Sequence, residues 1–179
     1  TATTEIYTLS LHDALPIFGE AGRRVQGFLA KLGITSSYVM INTYLYSVYG
    51  TVKAAAQKDP KLIAYRNKWI DAVLDKKKVE AVIALGTAAH AAWDAWKLTP
   101  KGQASTVAFA AITHPTQPES SSAHGGTTLA QATKIMLAGW NVALQALGPA
   151  IAHRDVDVVL KLYGTAWAAG DRVAIPEAD

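Results

Sequence analysis

The chain has 179 residues, half of them hydrophobic and 17% charged, with a formal net charge of +3. That is enough for one globular domain with a real core, and its mildly basic balance (pI about 9.1) permits a polyanionic partner without demanding one. The absence of cysteine excludes disulfides, thiolate metal sites and cysteine nucleophiles.

Residues 1–17 read TATTEIYTLSLHDALPI. The string resembles the in-frame translation of a common short-read sequencing adapter, and all seventeen codons agree. The adapter's leftover T would supply the first base of codon 18, turning a native Val codon into the codon for Phe18. Like a fusion scar, such a segment is set aside from fold reasoning, so the inviting His12/Asp13 pair carries no weight. On the opposing reading, the alternating run 5–11 is a native edge strand. A continuous native reading frame across codon 18 in the source DNA would sink the adapter reading.

The chain then alternates helices and apolar strands. Residues 19–32 form a helix with Val25, Phe28, Leu29 and Leu32 on one face, stopped by Gly33. Residues 37–42 (SYVMIN) are a short buried strand. Residues 43–60 are irregular and Tyr-rich, ending at Pro60. An amphipathic helix follows over 62–74, striped by Leu62, Ile63, Trp69, Ile70, Val73 and Leu74. Lys76, Lys77 and Lys78 close it, where cations suit the helix dipole. Residues 79–85 (VEAVIAL) are a second buried strand, turning at Gly86 into a helix over 87–96 with Thr87 as its N-cap. Residues 106–113 (TVAFAAIT) are a third strand, 114–126 a loop, and 127–147 a long helix with Leu129, Met136, Trp140, Ala143 and Leu147 on one side. Beyond Pro149 order weakens, with one more short element expected over 156–163. Trp69, Trp93, Trp96 and Trp140 are expected in the core rather than as base-stacking platforms.

No secretory signal precedes these elements, and a cytoplasmic location is expected. Residues 135–152 carry no charge but include Gly139, Asn141, Gln145 and Pro149. They read as a core helix rather than a membrane span. Apolar strands alternating with helices predict a three-layer α/β/α domain around a short parallel sheet. Such sheets bind ligands beyond the carboxyl ends of their strands. Here those ends deliver Asn42, Gly86 and His114.

GEAGRRVQGFLAKLGITSSYVMIN resembles the helix and second strand of the uracil-DNA glycosylase superfamily, where a Gly-x-Ala-Gly-Arg turn opens the helix and the strand ends in Asn. VEAVIALGTAAHAAW is similar to that family's third strand, Leu-Gly turn and next helix, and AFAAITHPTQPESS to its fourth strand and His-Pro-Ser/Thr motif. The resemblance covers most of 19–147. It implies an N-terminally truncated glycosylase-like domain over 18–148, with a C-terminal extension over 149–179. The family's first strand, central between the strands at 37–42 and 79–85, would be missing. Lost with it would be the motif that handles water and an aromatic residue that stacks on uracil, whose place Ile17 roughly takes. Some branches bind an iron–sulfur cluster through cysteines; this chain would belong to a branch without cofactor or metal.

The resemblance implies roles residue by residue. Asn42 would read the base: an amide pairs its acceptor and donor with uracil N3–H and O4, whereas cytosine presents the reverse pattern. His114 would stabilise negative charge on O2 of the departing base, as an oxyanion-hole donor does. Gly86 would let the DNA backbone approach. Pro115, Thr116, Gln117, Ser120 and Ser121, with Ser122, would contact phosphates, which position DNA without reading it. The other histidines (His90, His124 and His153) have no partners at metal spacing. The implied function is excision of uracil, or a related damaged base, from DNA by a monomer, with little or no activity in the chain as written. Two other readings stay open: a non-enzymatic nucleic-acid-binding member of the fold, and an unrelated α/β nucleotide- or phosphate-binding domain. Neither standard Gly-rich phosphate loop is present to favour the second.

Overall fold

The computed structural model describes residues 6–10, 19–44, 58–76 and 78–175. His12, Asp13, Ile17 and Phe18, most of the stretch at 43–60, Lys77 and the last four residues lie outside these. The elements are β1 (Ile6–Ser10), α1 (Gly19–Lys31), β2 (Tyr38–Asn42), α2 (Pro60–Lys76), β3 (Ala81–Leu85), α3 (Thr87–Lys97), α4 (Pro100–Ala104), β4 (Ala108–Ile112), α5 (Gln117–Ala123) and α6 (Leu129–Leu147).

The sheet is parallel, in the order β2-β1-β3-β4. Ile6 to Ser10 runs opposite Tyr38 to Asn42 on one side and Ala81 to Leu85 on the other. Five residues set aside as adapter-derived thus occupy the central strand. The physical reason is local: β2 and β3 would otherwise each present a row of unpaired backbone groups, and an extended run of this length satisfies both rows.

Strand alternation sends side chains to two cores, as a three-layer α/β/α domain requires. On one face Ala81, Ile83, Leu85, Ala110 and Ile112 pack under Val25, Phe28 and Leu29 of α1, Leu32 just beyond it, and Met136, Leu137, Trp140 and Leu144 of α6. Phe28 meets Trp140 edge-on, with ring centroids 5.5 Å apart, a geometry worth about 0.5–1.5 kcal/mol beyond the area buried. On the other face Val82 and Ala84 pack under Ile70 of α2 and Ala89, Trp93 and Trp96 of α3. Phe109 stacks on Trp93 at 4.8 Å.

The termini of the helices have local causes. Gly33, at φ 80°, ends α1; the amide of Ile34 bonds Leu29 O and that of Gly33 bonds Ala30 O, the Schellman pattern. Thr128 and Gln131 form a reciprocal capping box at the start of α6.

Several expectations need correction. Thr87 is not an N-cap: Gly86 takes that position without a side-chain bond, because its backbone conformation carries the turn by itself. The predicted loop at 114–126 contains α5, opened by a proline in its first turn. Pro100–Ala104 is a further short helix, capped by the Thr99 hydroxyl. Trp69 is 47% exposed and meets Tyr65 edge-on, and Leu129 is equally exposed; helical spacing placed both one step off the buried arc.

No helix or strand forms over 156–163. Residues 151–175 instead cross the α1–α6 layer as an irregular packed segment. Tyr163 and Trp167 lie edge-on against Trp140. The Asn141 amide donates to Tyr163 O and accepts from its N–H. Lys31 pairs with Asp171 at 2.8 Å, and Gly27 lets the Asp171 backbone come where any Cβ would collide. Glu80, just before β3, accepts from the amides of Ala152 and His153 and from the His153 ring. Partial burial alone would raise its carboxyl, but those bonds hold it below the usual carboxylate range. Among the described residues no helix is long and apolar enough to cross a membrane.

Candidate functional site

The strand register sets the scale of the rim. Asn42 lies opposite Ser10, Ser10 opposite Leu85, and Leu85 opposite Ile112. Three strand spacings separate the first from the last, roughly 14 Å. His114 follows Ile112 by two residues.

His114 is held from several directions. Its ring Nδ1 is 2.8 Å from the Thr116 hydroxyl, and the Thr116 amide donates to the same nitrogen at 3.3 Å. A backbone N–H can only donate, so Nδ1 accepts from the Thr116 amide. Thr116, the residue expected on a phosphate, holds the His114 ring through its hydroxyl and amide.

The backbone on either side of His114 is pinned as well. Trp140 Nε1 donates to Thr113 O at 2.9 Å. Arg24 Nη1 donates to Pro115 O at 2.5 Å. The same buried guanidinium grips Glu119 with two bonds, Nη1 to Oε2 at 3.0 Å and Nη2 to Oε1 at 2.6 Å, and lies 5.1 Å from the centre of the Trp167 ring. Its hydrogen bonds hold the Glu119 carboxyl below the usual carboxylate range.

Gly86 closes the remaining side. Its φ of 85° and ψ of 173° lie in a region open essentially to glycine alone. Its amide bonds Ile112 O at 2.8 Å, joining the ends of β3 and β4. A Cβ built on it would sit 3.2 Å from the His114 Cβ. Gly86 is thus packed against His114.

Gln117, Ser120 and Ser121 lie on α5. The Gln117 amide bonds the Ser121 hydroxyl, and Ser120 O accepts from His124. These residues stand one helix beyond His114, on the element that Arg24 grips. Asn42 is exposed at the far end of the rim. Thr43, the next residue, is buried, as is Arg66 of α2, and Asn67 is half-buried.

Three features escaped the sequence reading: the Arg24–Glu119 clamp, the buried Arg66, and the packed segment 151–175. Arg24 had a signal, since it stands four residues before Phe28 and so on the buried face of its helix, an unusual place for an arginine unless paired. Among the described residues no cluster of His, Asp or Glu could hold a metal. Known protein families and curated sequences offer no counterpart: no family model matches the chain, and no curated protein does.

Proposed function

We propose that the chain carries part of a DNA-repair glycosylase site that excises uracil, or a related damaged base, by hydrolysis of the N-glycosidic bond. The observation that supports this reading is that His114, held through Nδ1 by Thr116 just beyond β4, and Asn42, at the end of β2, stand on the same carboxyl rim of the sheet. A flipped uracil would bond Asn42 through N3–H and O4. His114 would then face O2, where charge gathers as the base departs. On the reading that residues 1–17 translate an adapter, the group that handles water is missing, and the chain as written turns over little or not at all.

The test is uracil release from single-stranded DNA, by the chain as written and by a chain with its native upstream codons restored. The restored chain is expected to excise uracil. His114→Ala should slow its single-turnover step by about 100- to 1000-fold, and Asn42→Ala should remove the preference for uracil over cytosine. Salt-dependent DNA binding with no release and no effect of His114→Ala would point to a non-enzymatic binding protein instead. Rapid release by the chain as written would overturn the adapter reading.

A further inference from the structure

Trp69 is 47% exposed, whereas Trp93, Trp96 and Trp140 are 4% exposed or less. Tryptophan is among the more buried residues on average, and its exposure here is shared by a neighbouring ring. Tyr65, one turn earlier on α2, is 39% exposed and meets the indole edge-on, with ring centroids 6.5 Å apart and planes at 80°. The apolar stripe that holds α2 to the sheet runs along Ile70, Val73 and Leu74, and both rings lie outside it.

Cations flank the aromatic pair. Lys61 precedes Tyr65 by four residues and Lys68 follows it by three, spacings that set side chains next to each other on a helix, about 5–6 Å apart. Lys76 stands two turns beyond Trp69 on the same side. All three lysines are exposed. The carboxylates of this stretch are engaged: Asp59 caps the amides of Lys61 and Leu62, Asp71 accepts from Trp96 Nε1 at 2.8 Å, and Asp75 pairs with Lys101. Residues 58–78 carry seven basic and three acidic side chains, an excess of four, where the whole chain has a net charge of +3. The positive charge of the protein is thus concentrated on α2 and its two ends.

Exposed aromatics interleaved with lysines supply the two parts of a surface for single-stranded nucleic acid: rings on which bases stack, and cations that follow the phosphates. Other partners of a cationic helix fit less well. A membrane takes up a helix through a broad apolar face, but the apolar face of α2 is turned inward onto Val82, Ala84 and the tryptophans of α3. A second copy of the chain would bring the same positive excess against this one. A duplex keeps its base faces inside the stack, which leaves the unpaired strand.

We propose that the outer face of α2 binds single-stranded nucleic acid, with Trp69 stacking on a base and Lys61, Lys68 and Lys76 meeting phosphates. These residues lie on a different element from Asn42 and His114, and the proposal does not depend on base excision.

The experiment is fluorescence anisotropy of a labelled oligothymidylate of about 16 nucleotides, titrated with the full chain at several salt concentrations. Binding should be saturable and should weaken as salt rises. Trp69→Ala should weaken it by about 5- to 100-fold, and Trp69→Phe, which keeps a ring, should recover most of that loss. Lys61→Gln combined with Lys68→Gln should flatten the slope of log K against log salt by about 1.4, near 0.7 for each phosphate contact removed. These positions face solvent, so the urea midpoint should stay at the wild-type value, which separates lost contacts from lost structure. Failure of wild type to bind, equal binding by Trp69→Ala, or an unchanged salt slope in the lysine double variant overturns the proposal. Equal affinity for the corresponding duplex would leave stacking no role and overturn it too, as would capture by phosphatidylserine vesicles without any binding of the oligonucleotide.

Discussion

The two ends of the sheet's carboxyl rim are built differently. At the β4 end, His114 has its ring nitrogen fixed by Thr116, its flanking carbonyls held by Trp140 and Arg24, and its Cβ backed by Gly86. At the β2 end, Asn42 is exposed; Thr43, the next residue, and Arg66 and Asn67 of α2 contain buried atoms without hydrogen-bond partners. A side chain that must stabilise developing charge gains from being fixed before the ligand arrives, because no reorganisation is then needed during the reaction. A side chain that selects a ligand can leave part of its bonding unmet until the ligand supplies it, at the expense of stability in the empty state. The contrast is between a His114 end whose polar groups are bonded within the protein and an Asn42 end beside polar atoms left unbonded.

The largest expected stability effect at the braced end is from Arg24→Met. It removes two charge-assisted bonds to Glu119 and one to Pro115 O, while Glu119, being half-exposed, can turn to water. A loss of about 2–3 kcal/mol in urea-unfolding free energy is expected. Glu119→Gln should lose less, and the double mutant should fall short of the sum because the residues share the same bonds. A change below about 0.5 kcal/mol for Arg24→Met, the range of ordinary surface substitutions, would mean that the clamp does not hold the His114 segment.

Gly86→Ala should lower stability by about 1–3 kcal/mol through backbone strain, and it should also disturb the His114 ring resonances in NMR by pressing on its Cβ. Gly125 provides the control. It too has a positive φ, of 76°, but a Cβ there would touch nothing within 4 Å. Gly125→Ala is expected to leave the His114 resonances in place. If the two substitutions perturb them equally, close packing of Gly86 on His114 is not what matters.

Much of the braced end was readable in the sequence, because period-2 and period-3.6 patterns report burial directly. The apolar runs ending in Asn42, Gly86 and His114 are strands followed by rim residues in the structure. What the patterns missed has definite causes. Arg24 and Glu119 are 95 positions apart, and no local period links them. α5 was hidden by its Ser- and Pro-rich composition, which signals turns. The segment 151–175 has no period, since aromatic contacts and single polar bonds hold it rather than one continuous face. β1 was discounted on the origin of its codons, and strand pairing does not depend on origin.

The smallest effect concerns how β2 is anchored at its start. Asp155, in the C-terminal segment, accepts from the amides of Thr35, Ser36 and Ser37 and from the Ser37 hydroxyl, just before the strand whose far end bears Asn42. Partial burial alone would raise the Asp155 carboxyl, but the Ser36 amide, the Ser37 hydroxyl and amide, and the Thr35 amide pull it from 3.8 down to about 2. A carboxyl held below its unfolded value stabilises the fold in full above the unfolded pKa, and that contribution fades as pH falls from about 4 through about 2. Solvent reaches Asp155, so screening reduces the effect to about 1 kcal/mol. Asp155→Asn should therefore be less stable than wild type by about that amount at pH 7. In urea titrations the difference should shrink below pH 4 and vanish near pH 2. A difference that stays constant across this range would mean that the Asp155 bonds hold β2 through shape rather than charge, leaving the Asn42 end no more dependent on pH than the His114 end.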